Sequence, residues 1–453
     1  MTLHREILRL ALPSILANIT VPLVGMVDLA VAGHLGGEDG STTALLGGIA
    51  IGTMLFDLLY WIFAFLRAGT GGVTAQAYGR GDGRAAAEAL ARSMAFALGS
   101  GLAMILLQEF LLWAGLLLVE CSPQVRTLAQ GYFHIRIWAA PATLSLFALK
   151  GWMIGMQDSV RPMIVDLTIN LVNIGASILL GFGYIGLPRL GFSGIAAGTV
   201  IAQWTGFTVA MVFICTKFKH TFRGRKLFSL LQGSWRGFFS LSGNLALRSV
   251  GMMAVYIGFT MISARYGDLM LSVGAIMMKL LMLFSFFSDG FAYAGEALTG
   301  RFIGEQSREG VTSTVRDTFI WGAGLSALFI FVYWVGGTPL LRLMTSDESV
   351  VTAGREFLPW LIVMPLTGLP AFIWDGIFIG ATASEDLRNS TLLCAVGFFA
   401  AWFIGFYAFG GASITDRVAI HVLLAAYFIH LTVRSAYLTV RYRPGVLRKV
   451  AVT

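Results

Sequence analysis

As soluble protein, 453 residues would make two or three domains, but the composition excludes that reading. Hydrophobic residues are 57% of the chain against 12% charged, and the mean hydropathy of +0.77 assigns nearly all of it to a lipid bilayer. The formal charge of +8 does not point to nucleic acid, because the positive side chains sit at helix ends and in loops, where they set membrane topology.

The first hydrophobic run, LPSILANITVPLVGMVDLAVAGHL from Leu12, is long enough to cross the roughly 30 Å hydrocarbon core. It carries a single carboxylate, Asp28, downstream of Pro13 and Pro22. A charged acid facing lipid costs on the order of 3 kcal/mol, so Asp28 is expected to face a protein interior and to titrate. Each proline removes a backbone hydrogen bond, and the two mark where this helix is expected to bend. The leading MTLHREILRL meets the span without a small-residue cleavage site, so a removed signal peptide is not expected.

Hydropathy predicts twelve spans of about 20 to 30 residues. They fall near 7–34, 44–78, 88–119, 127–156, 161–186 and 191–217, then near 234–265, 268–303, 311–344, 350–381, 388–411 and 416–440. The expected organisation is an N-terminal lobe over 1–217, a cytoplasmic linker over 218–233, a C-terminal lobe over 234–441 and a cytoplasmic tail over 442–453. Even-numbered connections hold Arg80, Arg84, Arg161, Lys217, Lys219, Arg223, Arg225, Lys226, Arg301, Arg308 and Arg388, whereas odd-numbered ones are poorer and acidic, as in GGEDG and TSDES. Both termini are therefore expected in the cytoplasm, at the inner membrane of a prokaryote. The basic stretch KFKHTFRGRKLFSLLQGSWR from Lys217 is expected to lie on an anionic membrane surface.

The halves repeat. TAQAYGRGDGR from Thr74 aligns with TGRFIGEQSRE from Thr299, an offset of 299 − 74 = 225. GWMIGMQDS from Gly151 aligns with GIFIGATAS from Gly376, and 376 − 151 is again 225. Six spans precede the second copy, an even number, so the two lobes share one membrane orientation, with a substrate path expected between them.

Ionisable and amide groups inside spans are functional candidates, with charge pairing as the alternative. The first lobe offers Asp28, Asp57, Lys150, Asn170 and Asn173; the second offers Arg248, Lys279, Asp289, Glu296 and Asp375. No residue of opposite sign adjoins Asp28 in the sequence, which favours function there. Asp57 is read either as sharing a proton with Asp28 or as capping a bend. Lys150 is expected to neutralise a carboxylate; Asp375 stands at its repeat position, 375 − 150 = 225. Asn170 and Asn173 share a helical face, where amides bind a carboxylic acid, a cation or each other's helices. Asp289, Asp375, Lys279 and Arg248 together form a candidate polar site of the second lobe. Glu296, Arg301 and Arg308 are read as a salt-bridge cluster near a cytoplasmic end, and Met252, Met253, Met277, Met278, Met282, Phe284, Phe286 and Phe287 as core or lipid-facing residues, with the lining of an adaptable pocket as the alternative.

Enzyme chemistry has no support. No P-loop, no His/Cys metal cluster and no creditable Ser–His arrangement is present, and Cys121, Cys215 and Cys394 are read as packing residues. With no nucleotide motif, the energy for transport is expected from an ion gradient.

VPLVGMVDLAVAGHLG, FLRAGTGGVTAQAYGRGD, GWMIGMQDSVRP, SDGFAYAGEALTG and WDGIFIGATASEDLRNS resemble the motifs of the DinF-type branch of the MATE multidrug efflux family. The resemblance implies an all-α integral membrane protein of twelve transmembrane helices in two pseudo-symmetric six-helix lobes, the MATE fold of the MOP superfamily. It also implies alternating access with export driven by proton or sodium entry. By the same resemblance Asp28 matches the coupling carboxylate, Pro13 the bend, Asn173 the fifth-helix asparagine, and Thr199, in GIAAGT, the sixth-helix threonine. Relatives with a well-formed cation site place a second acid four residues after that asparagine; here Ser177 stands there. Sodium prefers several charged or carbonyl oxygens, whereas a proton needs one titratable carboxylate. The reading is proton-coupled export of amphipathic, often cationic, compounds by a monomer in contact with membrane lipid, with no cofactor and no nucleic-acid partner. Sodium coupling near Asp28 and a lipid-linked precursor flippase are the alternatives; an intramembrane enzyme or receptor ranks behind them.

Overall fold

The computed structural model describes every residue except 1, 36–40, 118, 120, 187, 233, 346 and 451–453, and it describes the backbone but not the side chains of 21–24, 227 and 412. The GGEDG turn and the side chain of Pro22 thus lie outside the described residues. Among the described residues there is no strand, and twelve helices are long and apolar enough to cross a membrane. They are α1 (Leu3–Leu35), α2 (Thr42–Gly79), α3 (Gly83–Leu106), α4 (Pro123–Gly155), α5 (Val160–Phe182), α6 (Phe192–Thr216), α7 (Arg236–Ala264), α8 (Gly267–Gly304), α9 (Arg308–Met344), α10 (Leu358–Gly380), α11 (Ser384–Ala408) and α12 (Asp416–Lys449). The chain is a multi-pass membrane protein.

Local chemistry explains where several helices begin. The Ser41 hydroxyl accepts from Ala44 N at α2, Asp82 Oδ1 accepts from Arg84 N and Ala85 N at α3, and the Ser307 hydroxyl accepts from Gly310 N at α9. Each satisfies backbone donors that the helix itself leaves open. Hydropathy alone ran some spans too long. The expected 88–119 span divides at Leu107 into α3 and a nine-residue helix, Gln108–Leu116. The expected 350–381 span is a separate short helix, Glu348–Arg355, followed by α10. In both places apolar residues continue across a break made by backbone geometry, and a hydropathy window does not register it.

The chain forms two compact units, Leu16–Ser234 and Met1–Ile15 with Trp235–Thr453. Helix α1 contributes to both, and the division falls just after Pro13. In the second unit its opening turns are tied down by Arg301 Nη1, which donates to Glu6 Oε2 at 3.1 Å, and by His4 beside Asp317 at 3.8 Å.

The 225-residue repeat is physical. A Cβ on Gly151 of α4 would fall on the Arg67 carbonyl of α2, and one on Gly376 of α10 would fall on the Ala292 carbonyl of α8. Both intervals are 225, since 376 − 151 = 292 − 67. Gly155 and Gly380 repeat the contact on the carbonyls of Gly71 and Glu296. These glycines let paired helices touch backbone to backbone. The turns repeat too: Gly81 and Gln306 have φ of 68° and 57°, Gln157 and Thr382 have 63° and 51°, and each pair is 225 apart.

Candidate functional site

In the first unit the site is built where α1, α5 and α6 meet. Glycines on α6 make the approach possible: a Cβ on Gly194 would lie 2.7 Å from Gly181 N, and one on Gly198 would lie 2.7 Å from the Ser177 hydroxyl. With α5 this close, Asn173 Nδ2 donates to Thr199 Oγ1 at 3.0 Å, and Thr199 Oγ1 donates on to the Ile195 carbonyl at 3.3 Å. One turn along α5, Ser177 Oγ donates to Asp28 Oδ1 at 3.2 Å. Asp28 is 6% exposed, Asn173 1%, Ser177 0% and Thr199 7%, so the group is shielded from the surface. Asn173 Oδ1 is buried and has no hydrogen-bond donor among the described residues. Asn170, one turn before Asn173, donates to Thr20 Oγ1 and so ties α5 to α1 a second time.

The next turn of α1 anchors the acid. Val31, Ala32 and Leu35 pack with Leu45 and Ile49 of α2, Tyr132 of α4 and Phe192, Ile195 and Ala196 of α6. Tyr132 leads to a residue that the sequence reading did not single out, Arg136. Its guanidinium sits 4.9 Å from the centre of the Phe56 ring and donates to Tyr132 OH at 3.1 Å and to Thr53 Oγ1 at 3.3 Å. Arg136 interacts electrostatically with Asp28 and with Asp57. Asp28 therefore has a neighbour of opposite sign, 108 residues away in the chain (136 − 28), which no local scan of the sequence finds. Asp57 is exposed and interacts electrostatically with Arg136. The signal for Arg136 is the one that marks Lys150, an ionisable residue within the expected span 127–156.

Other ionisable residues of the first unit are paired for structure. Lys150 Nζ lies 2.8 Å from Asp166 Oδ1, both side chains 20% exposed. In the second unit Asp375 is held from two sides. Arg248 Nη2 donates to Asp375 Oδ2 at 2.5 Å and Arg434 Nε donates to Asp375 Oδ1 at 3.1 Å; Arg434 Nη2 also contacts Oδ2. Asp289 adds to the field at Arg434, a wholly buried arginine that the sequence reading also passed over. Lys279 is exposed on α8, ten residues and about 15 Å along the helix from Asp289. Glu296 is fully buried, whereas Arg301 ion-pairs with Glu305 at 2.8 Å and with Glu6. Met277, Met278 and Phe284 are core residues.

The two carboxylates thus differ in kind. Asp375 is fixed by two guanidiniums. Asp28 accepts one hydroxyl bond, from Ser177, and Arg136 acts on it through its field rather than through an ion pair.

Comparisons with known proteins show the family and the fold. A family model described as MatE matches residues 13–179 and 245–402. The chain is 33% identical over 390 residues to the DNA damage-inducible protein F of Escherichia coli (strain K12), covering 86% of this chain and 83% of that protein. It is 22% identical over 445 residues to a probable multidrug resistance protein NorM of Chromobacterium violaceum, covering 96% and 92%. In fold it is similar to the Vibrio cholerae MATE transporter VcmN in the bent form, with a TM-score of 0.81, 16% identity and coverage of 99% and 98%.

Proposed function

The chain belongs to the MatE family, membrane transporters and not enzymes, and on that premise we propose that it exports amphipathic organic cations in exchange for protons, with Asp28 as the exchange site. The names of relatives such as the probable multidrug resistance protein of Chromobacterium violaceum support the substrate class. The observation that carries the coupling is the asymmetry between Asp28 and Asp375. A buried carboxylate that accepts one hydroxyl bond and feels a guanidinium only through its field can alternate between a proton and an organic cation; one clamped by two guanidiniums cannot.

In the proposed cycle the Asp28 carboxylate attracts a cationic substrate from the cytoplasmic side. A proton arriving from outside converts it to the neutral acid, which removes the attraction and turns an acceptor oxygen into a donor. The Ser177 bond to Oδ1 must then rearrange, and with it the contacts of Asn173 and Thr199 on the facing helices. The second half of α1 moves, and the segment containing Pro13 and Pro22 absorbs the bend. The protein works as a monomer in the cytoplasmic membrane of a prokaryote, with both termini in the cytoplasm. The flippase reading is less well supported, since two of the cations it would need, Lys150 and Arg248, are already paired with Asp166 and Asp375.

Efflux of a lipophilic cation from proteoliposomes tests the reading. An imposed pH gradient alone should drive it, and Asp28→Asn should abolish it while the protein still folds. Efflux that requires a sodium gradient in the wild type would refute proton coupling.

A further inference from the structure

The Asp28 site contains a fixed positive charge that its hydrogen-bonding residues do not account for. Arg136 ends the helical stretch Pro123–Arg136, just before the 3₁₀ turn Ile137–Ala139 breaks α4. Its guanidinium does not reach out toward solvent. It is stacked near the rings of Phe56, at 4.9 Å, and Tyr132, at 5.6 Å, and hydrogen-bonded to Tyr132 OH and Thr53 Oγ1. The support under it is itself rigid. Phe56 stacks on Phe133 at 4.8 Å, and Tyr132 is seated against Gly52, where a Cβ would come within 2.5 Å of its ring. Tyr132 packs in one cluster with Val31 and Ala32, the residues one turn beyond Asp28. The sequence therefore devotes two aromatic rings, two hydroxyls and a glycine to holding one guanidinium whose field reaches Asp28.

We propose that Arg136 is the resident counter-cation of the Asp28 site and makes the site selective for a proton over sodium. The inference rests on the reading of Asp28 as the exchange site. Asp57 is the other carboxylate that interacts electrostatically with Arg136, and it is exposed where Asp28 is buried. A sodium ion concentrates its charge on one small centre that must touch several oxygens, so beside Asp28 it would meet the Arg136 field at full strength, whereas a lipophilic organic cation spreads its charge and needs no such shell. Asp28, Ser177, Asn173 and Thr199 supply one carboxylate among neutral oxygens, so no second negative charge on these residues offsets that repulsion. A proton forms a bond on the carboxylate itself and needs no such shell. Arg136 acts through Asp28 as a positioning and selectivity residue rather than by touching substrate.

Binding of radioactive sodium to purified protein, run beside efflux of tetraphenylphosphonium from proteoliposomes, tests the inference. Wild type should bind no more sodium than Asp28→Asn. Arg136→Gln should gain at least tenfold in binding, and the gain should vanish in Arg136→Gln with Asp28→Asn. Arg136→Lys, which keeps the charge, should behave as wild type. Tyr132→Phe removes one anchor and leaves the charge, so it should gain a smaller fraction of sodium binding. Asp28-dependent sodium binding in the wild type overturns the inference, as does a folded Arg136→Gln that stays indifferent to sodium. Should Arg136→Gln fail to fold, an unchanged Tyr132→Phe overturns it. Proton-driven efflux surviving in Asp28→Asn would instead remove the Asp28 reading beneath it.

Discussion

Asp375 and Asp28 are both buried carboxylates, yet their surroundings assign them opposite tasks. Replacing Asp375 with Asn leaves Arg248 and Arg434 facing each other without the charge that both contact. Breaking a buried ionic group of this kind costs about 3–5 kcal/mol. Asp375→Asn should therefore lower the thermal unfolding midpoint in detergent sharply, while Asp28→Asn, which keeps an oxygen for the Ser177 hydroxyl and breaks no ion pair, should lower it less. Equal stability of the two variants would show that the pairing around Asp375 is not structural. At this scale the sequence was informative about single residues and silent about their partners. Asp28 stood out as the one charge in an apolar run, whereas Arg136, Asp166 and Arg434 gained meaning only through contacts 16 to 108 residues away, as 166 − 150 and 136 − 28 show.

Helix pairing in both units depends on glycines that lack any steric alternative. Gly151→Ala and Gly376→Ala would drive a methyl group into the Arg67 and Ala292 carbonyls, and should cost about 3 kcal/mol or prevent folding. Gly99, on α3, has nothing within 4 Å of a built Cβ. Gly99→Ala should instead be neutral or stabilising by about 0.5–1 kcal/mol, because alanine is the better helix former. Yields and melting temperatures of the three variants separate close packing from mere glycine content, and a well-folded Gly151→Ala would contradict the backbone contact. Helices were legible because a bilayer demands about 20 apolar residues in a row. Their interruptions were not. The breaks at Leu107, at Ile137–Ala139 and between Arg355 and Leu358 lie in turn geometry that composition does not encode.

Across the whole molecule, one 225-residue repeat sets the glycine contacts and the left-handed turn residues of both units, so the same scaffold is built twice. What the copies do not share is charge: Asp28 among neutral donors in one, Asp375 between arginines in the other. The repeat was visible in the sequence because close packing demands small residues at fixed spacing. The electrostatic difference was not, because it depends on which side chains converge. If Asp28 is the exchange site, a proton and a cationic substrate compete for it. Calorimetry of tetraphenylphosphonium binding to purified protein, in buffers of differing ionisation heat, measures the protons released on binding. At a pH where Asp28 is protonated in the free protein, wild type should release up to one proton and Asp28→Asn none. Binding by wild type without proton release, or equal release by Asp28→Asn, would contradict it.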